Sequence, residues 1–389
     1  MPLNATAKSW RVGDLPFFYR CQPQPSNAAY GLPDRLSFEL EFDAALGLVR
    51  QRPNADVDRA LEICYRQGSE ISGMMDDRGI GQQYAQDFLA YITRHEWDLA
   101  GKRVLEIGCG TGYLLSLLKA RGADVLGIEP GAQGRDGSNR HGVQIINGFF
   151  PHPAVAGKFD LVIAYGVLEH IVDPVGFMRT IADSLSEGGA AYIAVPDCAP
   201  YLRTGDISCL LHEHWSYFNI GSLQRIVAAA DLNGEVEASG FGGSLYCRVT
   251  SAQGRAAAAT AEIAQAAAEF DRFRSMAQAA VGKMEQFLQG PGVAGIYVPG
   301  RMINLLATLA SETQERMRFF DDNPAMTGLY FPGFPVNIEN FEALKNSPPA
   351  RLFIATKSFH SQVVLRIEQA AIDIPVVAWS EFFVQEATT

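Results

Sequence analysis

Two short stretches concentrate the residues that could do chemistry. The first is Glu106-Ile107-Gly108-Cys109-Gly110-Thr111-Gly112, set between the apolar run Arg103-Val104-Leu105 and a segment of helical character, Tyr113–Ala120. Glycines at a strand-to-helix turn let the main chain approach a ligand closely, and the helix beyond offers unpaired N–H groups. The spacing is E-x-G-x-G-x-G, not the G-x-G-x-x-G that wraps a dinucleotide pyrophosphate. About 20 residues further on, a second apolar run closes on Ile128-Glu129, where an acid can accept from both hydroxyls of a ribose. Phe149 or Phe150 could set a ring edge against a planar base, or simply pack in a core. The second stretch is Leu211-His212-Glu213-His214-Trp215-Ser216-Tyr217-Phe218. Histidine titrates near neutrality and a neighbouring Glu can orient it, so this is a candidate acid–base set. His-x-His could also ligate a metal, but no third and fourth ligand fall in register, and no metal is expected there.

The elements that must position these residues are legible as a rhythm. From Arg103 onward strands and helices alternate: RVLEIG, GYLLSLLKARG, DVLGIE, FDLVIAYG, PVGFMRTIADSLS, AAYIAVP. That alternation predicts an α/β fold, an open and mostly parallel sheet with helices on both faces. Upstream, RLSFELEF alternates as a strand does, and residues 81–97 carry apolar residues at helical spacing. The Ala-rich stretch 254–290 reads as one long connector helix or two, ended by Gly290-Pro291-Gly292. A second α/β rhythm follows: VAGIYV, a helix from about Arg301, MRFFDD, RLFIATKS, a helix through Val363, PVVAW. The expected organisation is an N-terminal unit over 1–70, a ligand-binding domain over 71–252, a connector over 253–290 and a second Rossmann-like unit over 291–389.

Composition narrows the partners. The net charge is −11 with no Lys/Arg cluster to offset it, so a phosphate-backbone partner is not expected and a small molecule is. No apolar run approaches the roughly 20 residues that span a bilayer, and no signal-like segment opens the sequence. The six cysteines form no C-x-x-C pair. The expectation is a reduced, cytoplasmic protein with buried thiols and no membrane partner.

The run LEIGCGTG…GIEP…FDLVIAYGVLEHIVDP…LSEGGAAYIAVP resembles the class I S-adenosylmethionine (SAM)-dependent methyltransferases. The resemblance implies a Rossmann-like domain with SAM as cofactor, its glycine turn opened by Glu106. Gly108, Gly110 and Gly112 would cradle the methionine moiety, Glu129 would hold the ribose, Asn147-Gly148-Phe149 would flank the adenine, and Ala164-Tyr165 would approach the sulfonium.

HEHWSYFNIGSLQRIVAAADL, GGSLYCRV and FFDDNPAMTGLYFPGFPVNI further resemble the three-domain sugar C-methyltransferases of deoxysugar biosynthesis, such as the tetronitrose enzyme. That resemblance implies removal of a proton alpha to a keto group on a nucleotide-linked sugar, followed by in-line attack of the enolate on the SAM methyl. By motif position His214 would be the base with Glu213 beside it. His170 would stabilise the enolate from the other side, and Tyr65 would line the sugar pocket. Arg301 or Lys357 of the C-terminal unit would lie near a phosphate. The departures are specific. The family's N-terminal zinc ribbon keeps only Cys21, so zinc is not expected. The tyrosine before HEH is Leu211, the His before GGSL is Phe241, the Gly-rich turn reads Val298-Pro299-Gly300-Arg301, and the Lys after DDNP is replaced at Met326 or Thr327. Two other readings stand beside C-methylation: O- or N-methylation of a sugar or related metabolite, and a non-catalytic SAM-binding regulatory protein. An NAD-linked enzyme using the C-terminal unit is a more distant fourth.

Overall fold

In the computed structural model the described residues are 8–17, 21–67, 75–251, 260–356 and 359–383. The protein divides into two units, neither of them continuous in sequence. One gathers Phe42–Cys198 with Glu213–Ala266; the other gathers Lys8–Glu41, Ala199–His212 and Ala267–Thr389.

The first unit is built on seven strands: β1 (Arg103–Ile107), β2 (Asp124–Glu129), β3 (Gln144–Asn147), β4 (Phe159–Tyr165), β5 (Leu185–Pro196), β6 (Asn233–Ala238) and β7 (Ser244–Thr250). Their order across the sheet is 3-2-1-4-5-7-6. Strands β1 to β5 run parallel, and β7 enters antiparallel between β5 and β6. The α/β, Rossmann-like architecture expected from the alternating pattern is present. The winding reverses between β1 and β4, and the carboxyl ends of strands at such a point form a crevice for ligands. Strands β1, β4 and β5 read as near-continuous apolar runs because both faces are covered, and Val104, Leu105, Leu161, Val162, Ile163 and Ile193 are fully buried.

Local signals fix where the flanking helices start. Asp173 accepts from the Gly176 amide at 2.9 Å and Pro174 opens the helix Pro174–Ala182. Asn219 and Ser222 cap each other reciprocally at the start of Ile220–Ala229. This second cap pins the end of the histidine-bearing segment. That segment is held on three sides: the Trp215 amide donates to Glu169 O at 2.7 Å, Trp215 O accepts from Gln51 at 2.9 Å, and Phe218 O accepts from Cys198 at 2.9 Å. Ser216 and Tyr217 also pair antiparallel with Arg50 and Val49.

In the second unit, strand Ser9–Pro16 pairs antiparallel with Arg35–Asp43, from Ser9 opposite Glu41 to Pro16 opposite Arg35, with a register shift between Arg11 and Gly13. A five-stranded parallel sheet runs Ile338–Glu339, Met317–Phe320, Ala294–Tyr297, Arg351–Ile354, Val376–Val377 across its width. The Ala-rich stretch is one helix, Thr260–Gln289. The helix expected from Arg301 is instead a 3-10 turn, Pro299–Arg301, followed by two short helices, Ile303–Ala307 and Ser311–Gln314. Val298 enters that turn in the left-handed region at φ 57°, which a β-branched residue tolerates poorly and which prevents a smooth helical start. Asp322 accepts from Tyr297 Oη at 2.8 Å and is ion-paired with Arg366. Lys357 and the Arg301 side chain lie outside the described residues.

Two glycines make opposite predictions. A Cβ on Gly137 would meet the Thr111 carbonyl at 2.1 Å, so Gly137→Ala forces the helix Gln133–His141 off the glycine turn. It should destabilise by about 1–3 kcal/mol in urea unfolding. Gly282 lies inside Thr260–Gln289 with open space where a Cβ would sit, and Gly282→Ala should stabilise by about 0.5–1 kcal/mol.

Candidate functional site

The glycine turn leaves the carboxyl end of β1 with Gly108, Gly110 and Gly112 all left-handed (φ 66°, 53° and 73°). Gly112 has no alternative, since a Cβ there would strike Val143 Cγ2 at 2.8 Å and add left-handed strain. At Gly110 nothing lies within 4 Å of where a Cβ would be, so the turn borders open space. The Gly110 amide donates to Glu129 Oε2 at 3.0 Å and the Gly131 amide to Oε1 at 2.8 Å. These bonds tie the ends of β1 and β2 together. They hold the Glu129 carboxyl down, against burial, which is the larger effect and raises it. Asn147 folds back, its amide donating to Pro130 O at 3.0 Å and Glu129 O at 3.2 Å, and the Gly148 amide donates to Glu129 O. Phe149 is half exposed, edge-on to Tyr65 at 6.1 Å, whereas Phe150 packs into the core against Phe177.

Glu106 is 1% exposed within β1, and neither carboxylate oxygen has a side-chain or water partner. Burial, then the nearby Glu129 charge, pushes its pKa far above the ordinary carboxylate range, with only the Leu115 amide opposing. Ala164 is wholly inside β4, so it can offer a ligand little beyond its main chain. Tyr165 is buried beside it, its hydroxyl near Ser244.

The second set of predicted residues converges at the end of β4. His170 closes the 3-10 turn Leu168–His170, and its Nδ1 lies 2.8 Å from Glu213 O and 3.3 Å from Tyr65 Oη. The His170 and His214 rings meet edge to face at 4.9 Å. A carbonyl oxygen can only accept, so His170 carries its hydrogen on Nδ1 and leaves Nε2 bare. Tyr65 Oη can then only accept from that nitrogen, and its own hydrogen is left for another acceptor. Tyr65 sits in the last turn of Ala55–Gln67; the residues after it, 68–74, lie outside the described set.

Glu213 enters differently from expectation. Its main-chain carbonyl orients His170, and among the described residues no hydrogen bond joins its carboxyl to His214. His212 belongs to the other unit, where its Nε2 donates to Leu15 O at 3.2 Å between the rings of Phe17 and Phe38. Phe241 stands edge-on to Tyr84 at 4.9 Å.

Glu169 was not singled out from sequence. Its Oε1 is 3.9 Å from His170 Nε2, and its Oε2 has no partner. A buried glutamate next to a histidine in LEHIVDP looks like an ordinary helix-cap acid until its burial is known. Among the described residues, Glu169, His170 and His214 bring one potential ligand atom each to within 4.8 Å of one another, as do Asp76, Asp77 and His141. Both acids of the latter group are already paired with Arg140.

Burial dominates the electrostatics. It raises Glu169 to about 8, opposed by the bond from the residue's own main-chain amide and helped less by Glu213, and raises Glu213 to about 8. It lowers His170 to about 4, opposed by the bond to Glu213 O, and holds His214 well below the ordinary imidazole range, with His170 contributing. Tyr65 is pushed up by burial and then by Glu213 and Glu169. At neutral pH the whole cluster is therefore uncharged.

Residues 77–236 match the family model for the methyltransferase domain. Ubiquinone biosynthesis O-methyltransferase of Acinetobacter baylyi is 32% identical over 115 residues, 27% of this chain and 48% of that protein. The enzyme of the same name from Marinobacter nauticus is 34% identical over 106 residues, 25% of this chain and 44% of that one. The protein thus spans about half the length of the curated relatives it matches. Among solved structures, magnesium protoporphyrin IX methyltransferase from Synechocystis PCC 6803 with bound SAM is 14% identical with a TM-score of 0.39, covering 51% of this chain and 100% of that one. Residues 77–236 are a methyltransferase domain, an enzyme domain whose cofactor is SAM. The site fits that group: open space beside Gly110, the buried Glu106 carboxyl within β1, and Glu129 at the end of β2.

Two outcomes test this arrangement. Glu129→Ala should weaken SAM binding by about 1–3 kcal/mol in calorimetry, through lost hydrogen bonds to a charged group. The buried acids bind protons in the folded state that the unfolded state, with ordinary values near 4.5, has released. Their contribution to stability is complete below pH 4.5 and is lost as pH rises through about 8. The histidines act oppositely, but only below their unfolded value of 6.5. Urea midpoints should therefore fall from pH 6.5 to 8, with a smaller fall in Glu169→Gln; an equal slope in both proteins contradicts the assignment.

Proposed function

Starting from a SAM-dependent methyltransferase domain, we propose that this protein transfers the methyl group to a carbon atom of a keto-sugar carried on a nucleotide. The observation that carries this reading is the meeting of Tyr65, His170 and His214 at the end of β4, an acid–base cluster that simple alignment of a hydroxyl would not need. The resemblance of the HEHWSYF and GGSL segments to sugar C-methyltransferases supports it.

SAM supplies an activated methyl group. Gly108, Gly110 and Gly112 would give its amino-acid portion a side-chain-free bed beside Glu106, and Glu129 would accept from the ribose hydroxyls. Asn147, Gly148 and Phe149 would bound the adenine, and Ala164-Tyr165 would lie on the side of the sulfonium. His214, kept neutral by burial, takes the proton alpha to the carbonyl as the C–H electron pair moves into the enolate. The free hydrogen of Tyr65 is available to the developing oxyanion, and His170, with Glu213 O fixing its Nδ1, packs edge to face against His214 and so supports the base from its own side. Bound SAM would supply the methyl group to the enolate carbon, its sulfur keeping the electron pair of the broken bond. A dry cluster favours both steps, since water would compete for the proton and the enolate.

The curated relatives favour a second reading, methyl transfer to oxygen. Incubation with 13C-methyl SAM and a panel of nucleotide-linked keto-sugars separates the two: the label should appear as a carbon-bound methyl. His214→Asn should keep SAM affinity and lose turnover by roughly 100-fold or more. A label found only on oxygen or nitrogen, or a fully active His214→Asn, rejects C-methylation by this base.

A further inference from the structure

We propose that Glu169 is a positioning residue of this site: as a carboxylic acid it faces the bare Nε2 of His170 and holds that imidazole in its Nδ1–H form. The proposal rests on reading His170 as part of the acid–base cluster, and its test is made on the protein without acceptor, so the two can fail separately.

The argument begins with Glu213 O. It sits 2.8 Å from His170 Nδ1 and can only accept, which assigns the hydrogen to Nδ1 and a lone pair to Nε2. That lone pair faces Glu169 Oε1 at 3.9 Å. Glu169 is 3% exposed and its Oε2 is without a partner. A carboxylate and an imidazole lone pair directed at each other in a site with little water repel, and an unpaired buried charge is costly. One proton removes both problems. On the carboxyl it neutralises Glu169 and points an O–H at Nε2, with a small side-chain rotation or one bridging water closing the gap.

Burial raises Glu169 enough to keep that proton at neutral pH. The groups facing it agree: the Glu213 carboxyl, Tyr65, Tyr165 and Cys198 all interact with it as neutral or negative species, and His214 is neutral. Among these no cation competes to keep Glu169 ionised. The main chain of the same residue accepts from Trp215 at 2.7 Å, so Glu169 also anchors the segment bearing His214.

The test is a two-bond 1H–15N correlation spectrum of the full-length protein labelled at histidine, recorded from pH 6 to 9. Below pH 8 His170 should show a protonated Nδ1 and a bare Nε2, and Nε2 should shift with a midpoint near 8. Glu169→Gln, whose amide donates at every pH, should keep the protonated Nδ1 and lose the midpoint. Glu169→Leu should show a mixture of tautomers, with SAM calorimetry reporting whether each variant is folded. A protonated Nε2 in the wild type at pH 7, or the same midpoint in Glu169→Gln, overturns the proposal. Equimolar zinc chloride should leave both histidines unmoved; a stoichiometric shift of His170 and His214, abolished in Glu169→Gln, would make the cluster a metal site instead.

Discussion

The site depends on how much water is withheld from four residues at the end of β4. In bulk solvent Glu169 and Glu213 would be anions and the histidines would titrate near neutrality. Buried together they are all uncharged, because each ion would forfeit hydration that no neighbouring opposite charge restores. Neutrality makes His214 available as a base and gives His170 a single tautomer. It also removes the alternative of a salt bridge, which would have fixed the same side chains but left no lone pair for chemistry. Main-chain atoms do the orienting: Glu213 O receives His170, and Glu169 O receives Trp215.

The fold delivers this by bringing two loops to one place. The crevice where winding reverses puts the turns after β1 and β4 side by side, one shaped for the cofactor and one carrying His170. The histidine-bearing segment arrives from a distant part of the sequence, pinned by Gln51, Cys198 and Glu169 and terminated by the Asn219 cap. Burial raises the acids beside the glycine turn, Glu106 and Glu129, as it raises Glu169 and Glu213 beside the histidines.

Much of this was readable from residues alone, and what was not has physical causes. The α/β order and the glycine turn are local features: apolar runs, periodicity and φ-positive positions declare themselves within a few residues. The convergence of Tyr65, His170 and His214 was reachable only through the resemblance, since 105 residues separate the first two. Glu169 was missed because its importance lies in burial and in an absent partner, neither of which spacing encodes. Glu213 was noticed for its carboxyl, yet its hydrogen bond to the cluster is made by its backbone, which every residue possesses. The units were also hidden, because 8–41 and 199–212 join the C-terminal residues through long-range packing. Val298 stands where the degenerate turn of the second sheet departs from the glycine expected of a nucleotide loop, and its left-handed φ explains the broken helix that follows.

The central claim is that the cluster removes a proton from carbon before any methyl moves. Its most direct measurement is isotope exchange at the acceptor, made in deuterium oxide with S-adenosylhomocysteine in place of SAM. A nucleotide-linked keto-sugar should lose its alpha proton to solvent deuterium at a rate that the enzyme accelerates and His214→Asn abolishes. An acceptor that is methylated on addition of SAM, yet exchanges no alpha proton without it, would contradict the account.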